Sequence, residues 1–326
     1  MEVWPAERVL GRTGLTVDAI GIGCAELGNM PETFNYGVAE EDALGTIRAI
    51  FEGPSTNVDI RFVDTAASYG DGESERRIGI VLRELGGVPA GYLLATKADR
   101  DLKTGEFSGE QMRRSVERSL RLLGLDRIEL LHLHDPEHAP FEEIMAAGGA
   151  VEALMRLRDE GVIGHLGVAG GPSDLMLRYV RTGIFEAVIT HNRYTLLNRS
   201  ANGLIEEAFA RGLGVINAAP YGSGILAKGS KAYPRYAYRE AARAVVAKVE
   251  RIEALCAEAS VPLPAVALQF SLRDPRIHST IVGISKPERL RQTTTLATTL
   301  IPDGLWETID RAIEPDYTDP EAGRWR

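Results

Sequence analysis

A (β/α)8 barrel with an N-terminal β-hairpin and long substrate-covering loops is the fold this sequence predicts. Three observations predict it. Eight short apolar, β-prone runs recur along the 326 residues, amphipathic stretches of helix length lie between them, and the glycine fingerprint of a doubly wound open sheet is missing after the first run.

The opening "RVLGRTGLTVDAIGIG" holds two short β-prone runs around Gly11 to Gly14, a hairpin signal ahead of the main fold. The first barrel run is "IGIGC" (20–24), and helical periodicity follows over 40–51. "RFVDTA" (61–66) leads to a helix over 74–85, "YLLATK" (92–97) to one over 108–123, and "IELLHLH" (128–134) to one over 151–160. "HLGVAG" (165–170), "AVITH" (187–191) and "GVINAA" (214–219) precede helices over 173–181, 201–211 and 240–259. "STIVGI" (279–284) precedes a last one over 287–297. Apolar strands alternating with helices imply a parallel sheet covered on both faces, and eight units close a barrel. The rival, a doubly wound open sheet, carries GxGxxG straight after its first strand, and "GIGCAELG" matches that poorly.

A chain of this length allows one or two domains, but no Pro/Gly/Ser-rich linker or change of composition divides it, so residues 1–326 read as a single barrel domain. Three segments exceed ordinary connections and are rich in aromatic and turn residues: 26–40, 218–240 and the tail 315–326. These are the expected substrate-covering loops.

With 44% hydrophobic and 25% charged residues, the chain has the composition of a globular protein. Its net charge of -9 comes without a basic run, so it carries no electrostatic footprint for nucleic acid or an anionic membrane. Cys24 and Cys256 lie outside any CxxC pattern, which argues against a disulfide framework or a zinc knuckle. "MEVWPAERVL" lacks a signal-peptide profile and no apolar run is long enough to span a bilayer, so the expected location is cytoplasmic. Nothing in the sequence sets an oligomeric state.

In a barrel of this kind, polar residues at the carboxyl ends of strands face the reaction site. Asp64 near the end of the second run, Tyr69 just beyond it, Lys97 ending the third and His134 ending the fourth form a coherent set. A phenol titrates near pH 10 unaided; an ammonium beside it favours the anion, and a carboxylate keeps that ammonium charged. The histidine adds a donor for a substrate oxygen, which suits proton transfer coupled to hydride movement. Singly, each residue has an ordinary role as a cap, a solvated strand end, a turn aromatic or a core histidine. Together, at three consecutive strand ends, they point to chemistry.

"FVDTAASYGDGESERRIG", "LLATK" and "LDRIELLHLHDPE" resemble the three signature regions of the aldo-keto reductases, and the order of elements is similar over nearly the whole chain. The resemblance implies Tyr69 as general acid/base, Asp64 and Lys97 lowering its pKa, His134 orienting the substrate oxygen, and NAD or NADP as hydride carrier. "AAPYGSGIL" resembles the loop that wraps the pyrophosphate, which implies Pro220, Tyr221, Gly222, Ser223, Gly224 and Leu226 as cofactor contacts. Gly23, Cys24 and Asp64 at strand ends join them.

The chain departs from the family pattern at several points. Ala218 stands where many members stack a tyrosine on the nicotinamide. Ala169 and Gly170 replace a Ser and an Asn that hold the carboxamide, and His191, where Gln is common, is implied to take over part of that contact. "VGISKPERLRQTTT" resembles the adenosine-binding segment, implying Ile284, Ser285, Lys286, Arg289, Gln292 and Thr293 as contacts. Gly283 occupies a position that often carries lysine in NADPH-dependent members, while Arg289 remains, so the lean is to NAD.

Within the family the chain looks most like the bacterial dehydrogenases that oxidise L-fucose and related D-threo-aldoses at C1, and like pyridoxal 4-dehydrogenase. Arg193 joins Tyr69 and His134 as an expected substrate contact, and Trp4, Phe34, Tyr36, Tyr194, Tyr233 and Trp325 as possible pocket walls. Two other classes stand as alternatives. A metal hydrolase would recruit His132, His134, Asp135, His138, His165 and His191, but leaves Asp64, Tyr69 and Lys97 without a task; no metal is expected. The other is a regulatory protein that keeps the cofactor site and does little chemistry.

Overall fold

Strands apolar on both faces need cover on both sides, and a ring of helices supplies it. The structure, a computed structural model, describes residues 7–52 and 60–322, so Trp4 and Trp325 lie outside the described residues. β1 (Glu7–Val9) and β2 (Thr16–Asp18) form the expected antiparallel hairpin. β3 (Ile20–Gly23), β4 (Phe62–Asp64), β5 (Leu93–Ala98), β6 (Ile128–His134), β7 (Ile163–Ala169), β8 (Ala187–His191) and β9 (Gly214–Ala218) then run parallel in chain order. A two-residue pair, β10 (Arg235–Tyr236) and β11 (Arg239–Glu240), interrupts the following loop. β12 (Ser279–Gly283) closes the barrel by pairing with both β9 and β3.

The outer layer begins with α1 (Pro31–Phe34), α2 (Glu40–Phe51), α3 (Glu73–Leu85), α4 (Gly109–Leu123), α5 (Phe141–Ile144), α6 (Ala150–Asp159) and α7 (Ser173–Arg181). It continues with α8 (Asn202–Ala210), α9 (Ile225–Lys228), α10 (Arg243–Glu258), α11 (Leu263–Leu272), α12 (Glu288–Thr298) and α13 (Asp303–Ala312). Local chemistry sets their ends. The Ser108 side chain accepts the amide of Gln111 as an N-cap, and Gly86 and Gly124 end α3 and α4 in left-handed conformation. The one-turn α1, α5 and α9 and the longer α11 and α13 are absent from the sequence expectation. α11 reads "LPAVALQFSL", apolar on nearly every face, so it shows no amphipathic period.

The barrel interior is filled by Phe62, Leu93, Leu130, Ile189, Ile216 and Ile281, with Leu10 of the hairpin turn joining them from below. Gly11, at φ +52, lets that turn press on the strand bottoms: a Cβ there would sit 2.3 Å from the Gly214 amide nitrogen. The hairpin therefore plugs the amino-terminal end, and only the carboxyl end remains for a site. There the first two long loops interlock, since the Tyr233 hydroxyl donates to the Phe34 carbonyl at 2.9 Å and Lys228 lies over the rings of Tyr233 and Tyr36. Among the described residues no single helix is long and apolar enough to cross a membrane.

Candidate active site

The segment "TAASYGDGE" leaves β4 and must turn sharply into α3. It does so through left-handed Gly70, Asp71 and Gly72, at φ 62, 52 and 91. Gly70 is required twice over, because a Cβ there would also meet the Gly28 carbonyl oxygen at 1.9 Å. This turn carries Tyr69 back over the barrel mouth, and the register of β4 against β5 brings Asp64 beside the end of β5.

Lys97 is buried and uses all three of its N–H bonds. It donates to Asp64 Oδ2 at 2.6 Å, to the Thr65 carbonyl at 2.8 Å and to Tyr69 Oη at 3.0 Å. Because Tyr69 accepts from lysine, its own O–H is left to point elsewhere. Burial alone would lower the ammonium's pKa, but Asp64 and Tyr69 outweigh it and raise it. Burial raises Asp64 against the pull of Lys97. Desolvation also pushes the Tyr69 phenol up to about 12, with Lys97 opposing. The expectation of a net depressed phenol is thus corrected: the lysine limits the rise and does not reverse it.

His134 ends β6 with its ring edge-on to Tyr69, centroids 5.8 Å apart. Its Nδ1 lies 2.8 Å from Asp99 Oδ1, and Nε2 lies 3.6 Å from Asp135 Oδ1. Burial disfavours the charged ring, yet Asp135 and Asp99 outweigh it and raise the pKa. The four residues expected from sequence therefore converge on one mouth. Asp99 was missed, although it stands two residues after Lys97, where alternation along a strand places it on the same side.

His132 also lies on β6 but is fully buried, and burial with the nearby Lys97 charge drops it to about 3. A Cβ on Gly167 would sit 2.3 Å from its ring, so that glycine makes room for a packed, neutral histidine. His165 faces Glu186 instead. Among the described residues, no cluster of three or more His, Cys, Asp or Glu side chains is arranged to hold a metal ion.

The expected cofactor residues divide. Ala219, Gly222, Ser223 and Gly224 are left-handed, at φ 54, 56, 62 and 115, and such successive turns build a concavity suited to an anion. Cβ atoms on Gly222 and Gly224 would meet the rings of Tyr236 and Tyr233 at 3.0 and 2.9 Å, so the aromatic cover depends on both glycines. Tyr221 and Ser223 are half-buried, and Ser223 Oγ donates to Asn192 Oδ1 at 3.0 Å. Lys286, Arg289 and Gln292 are exposed around the start of α12, with Arg289 bonded to Gln292 at 3.1 Å. Ser285 is half-buried. Gly23 sits at the carboxyl end of β3, in register with Asp64 and Gly283. The side chains of Cys24, Leu226, Ile284 and Thr293 are instead packed away, as is Pro220, and burial keeps the Cys24 thiol protonated. Their backbone donors are committed as well, Cys24 to the Asp64 carbonyl, Leu226 to that of Tyr221 and Ile284 to that of Gly23, so the expectation that these residues contact a cofactor is corrected.

Over Gly170 and Gly171 lies Glu137, accepting the Gly171 amide at 2.8 Å while its buried Oε2 has no partner among the described residues. That orphaned acceptor beside His191 fits a carboxamide N–H, in place of the Ser and Asn pair. His191 Nε2 in turn lies 3.2 Å from Glu321 of the tail. An acceptor at the strand ends, a left-handed loop and a cationic helix start together fit a dinucleotide.

Arg193 requires a correction as a substrate contact. It is fully buried, donating to Asp319 at 2.6 Å, to Glu321 at 3.3 Å and to the His191 carbonyl at 3.1 Å. Its task is to tie down the tail. Tyr194 likewise donates to Asp274 at 2.5 Å and packs on Phe270, away from the mouth. Phe34, Tyr36 and Tyr233 stay at the interlocked loops.

Comparison with known proteins places this geometry. A model of the aldo/keto reductase family matches residues 19–314. D-threo-aldose 1-dehydrogenase of Pseudomonas sp is 32% identical over 94% of this chain and 97% of its own. Pyridoxal 4-dehydrogenase of Microbacterium luteolum is 30% identical, over 93% and 96%. An aldo-keto reductase from Bacillus halodurans, solved in its holo form, superposes with a TM-score of 0.75 over 98% of this chain and 99% of its own; at 22% identity this likeness speaks for the fold alone.

Proposed function

This chain belongs to the aldo/keto reductase family, and from that premise we propose that it oxidises an aldose of the L-fucose or D-threo type at C1 to the lactone. The observation that carries the reading is the Lys97 ammonium, whose donation to the Tyr69 oxygen leaves that residue's own O–H uncommitted beside the His134 ring. A nicotinamide dinucleotide, when bound, supplies the hydride acceptor. Tyr69 exchanges the proton of the anomeric hydroxyl, and Lys97 steadies the phenolate that does so. Asp64 holds Lys97 charged, and His134 fixes the substrate oxygen in line. The same residues, run backwards, reduce an aldehyde or ketone.

The left-handed loop 219–224 is assigned to the pyrophosphate, and Glu137 with His191 to the carboxamide. NAD is favoured over NADP by Glu26. A Cβ on Gly283 would meet its carboxylate at 2.8 Å, so an acid stands where a 2'-phosphate needs a cation. A second reading, oxidation of pyridoxal, is favoured by the similarity to pyridoxal 4-dehydrogenase.

The test is the initial rate of reduced-nicotinamide formation with L-fucose and with pyridoxal, each offered with NAD and with NADP. Turnover of L-fucose with NAD is the expected result. Turnover of pyridoxal alone transfers the assignment to the second reading, and silence with all four pairings removes both.

A further inference from the structure

We propose that Asp99 is a positioning residue that forces His134 to work as an imidazolium, whose one uncommitted N–H, on Nε2, holds the substrate oxygen. The inference rests on the oxidoreductase reading for its kinetic consequence and on geometry alone for its first step.

Both oxygens of Asp99 are engaged in the structure. Oδ2 takes the Ser68 backbone N–H at 2.9 Å, and Oδ1 faces His134 Nδ1 at 2.8 Å. A carboxyl group is ordinarily ionised at neutral pH and then only accepts, so the 2.8 Å contact places the hydrogen on Nδ1. The residue cannot swing away easily. Its amide donates to Ser115 Oγ at 3.0 Å, its carbonyl accepts from Gln111 Nε2 at 3.0 Å, and its side chain is buried.

The tautomer follows. A neutral ring with hydrogen on Nδ1 has only a lone pair at Nε2, which cannot donate to a carbonyl or an alkoxide oxygen. A donor at Nε2 exists only when the ring is cationic. Other groups around His134 decide whether that cation is tolerated. Asp135 approaches Nε2 at 3.6 Å, too far for a hydrogen bond but close enough to favour charge. Lys97 opposes it, although its own charge is paired with Asp64 at 2.6 Å. Tyr69 stands nearly perpendicular to the ring, His132 is packed and neutral, and His138 stands at the rim. Two carboxylates thus flank the ring against one already paired ammonium.

Proton exchange has a route that bypasses the substrate. Ser68 Oγ lies 3.3 Å from Nδ1, and Ser68 and Asp99 both line a cavity of about 420 Å³ that opens to solvent between the 65–72 turn and α4. The ring can therefore equilibrate with bulk pH from behind while Nε2 stays in the mouth.

The first measurement is the ring 15N NMR spectrum of the whole protein as pH is varied, with His134 identified by its loss in His134→Gln. In the wild type both ring nitrogens are expected to be protonated at neutral pH. In Asp99→Asn the ring is expected to lose its charge at least about one pH unit lower, the effect of removing an adjacent carboxylate. A neutral wild-type ring carrying hydrogen on Nε2, or equal titration in both proteins, overturns the proposal. The wild-type spectrum decides this even if the variant folds poorly.

The second measurement is the pH profile of kcat/KM with whichever substrate is turned over. Its alkaline limb is expected to move down in Asp99→Asn by the same interval, and an unmoved limb overturns the kinetic role. If no sugar is oxidised while the spectra behave as described, the substrate reading falls and the Asp99 assignment stands.

Discussion

In the proposed mechanism, Tyr69 is the residue on which the chemistry turns. Tyr69→Phe deletes the proton-exchanging hydroxyl and leaves the ring, so kcat should fall by roughly 10²–10⁴ while cofactor affinity, read by fluorescence quenching, stays within about twofold. Near-wild-type turnover would remove Tyr69 from the mechanism. Lys97→Met acts through the same oxygen. Without the ammonium, a phenol already pushed up to about 12 rises further, so oxidation should retreat to higher pH. The variant also strands the buried Asp64 carboxylate, at about 3–5 kcal/mol, and Asp64→Asn added to it should recover stability but not activity. An unchanged pH profile in Lys97→Met would exclude the lysine from tuning the phenol. Asp64, Tyr69, Lys97 and His134 were legible because they are polar residues at the ends of apolar strands. Asp99 carried only the alternation signal from Lys97, two residues before it, and Glu137 and Glu321 carried none, because they lie off the strands and acquire their roles from contacts that the fold creates. The downward sign expected for Tyr69 also failed at this scale, since desolvation depends on packing that no local motif records.

At the scale of elements, the strand-to-helix turn after β4 decides where Tyr69 stands. Gly70→Ala places a Cβ against the Gly28 carbonyl and imposes a left-handed conformation on a residue that disfavours it. Loss of several kcal/mol by denaturant unfolding, with kcat reduced more than tenfold, is expected; an unaltered midpoint would show that the two loops can separate freely. The tail is a second such element. Burial works against the Glu321 charge, but His191, Arg193 and the Asn192 side-chain N–H hold its pKa well below the ordinary carboxylate range. Its native pKa is depressed, so it stabilises the docked tail above the unfolded value, about 4.3, and that contribution is lost as pH falls below it. Glu321→Gln should flatten the acid limb of the unfolding midpoint against pH, and a limb of unchanged slope would argue that the tail docks by other means. The eight strands could be read from sequence because buried parallel strands are continuous apolar runs. α11 could not, because a helix buried on nearly all faces loses the periodicity that marks one.

Barrel closure is the property of the whole molecule that brings together what neither residue nor element can. β12 returns to pair with β3, and so the loop after the first barrel strand meets the segment after the last. Glu26, bonded to Tyr36 at 2.5 Å and keeping a buried Oε2 without a partner among the described residues, is thereby set beside Gly283. A carboxylate there can accept a ribose 2'-hydroxyl and repels a 2'-phosphate, while Lys286 and Arg289 on the same rim attract one. Burial raises the Glu26 pKa, and the Tyr36 bond with the Lys228 and Arg289 charges works against that rise, so its repulsion should strengthen as pH increases. Glu26→Gln keeps the shape and removes the charge. The ratio of kcat/KM with NAD to that with NADP should then fall by roughly fivefold, about 1 kcal/mol, with most of the change in the KM for NADP. A ratio unchanged across pH 6 to about 9 would mean that the discrimination lies with the cations alone, and that closure of the barrel contributes scaffolding there but no selectivity.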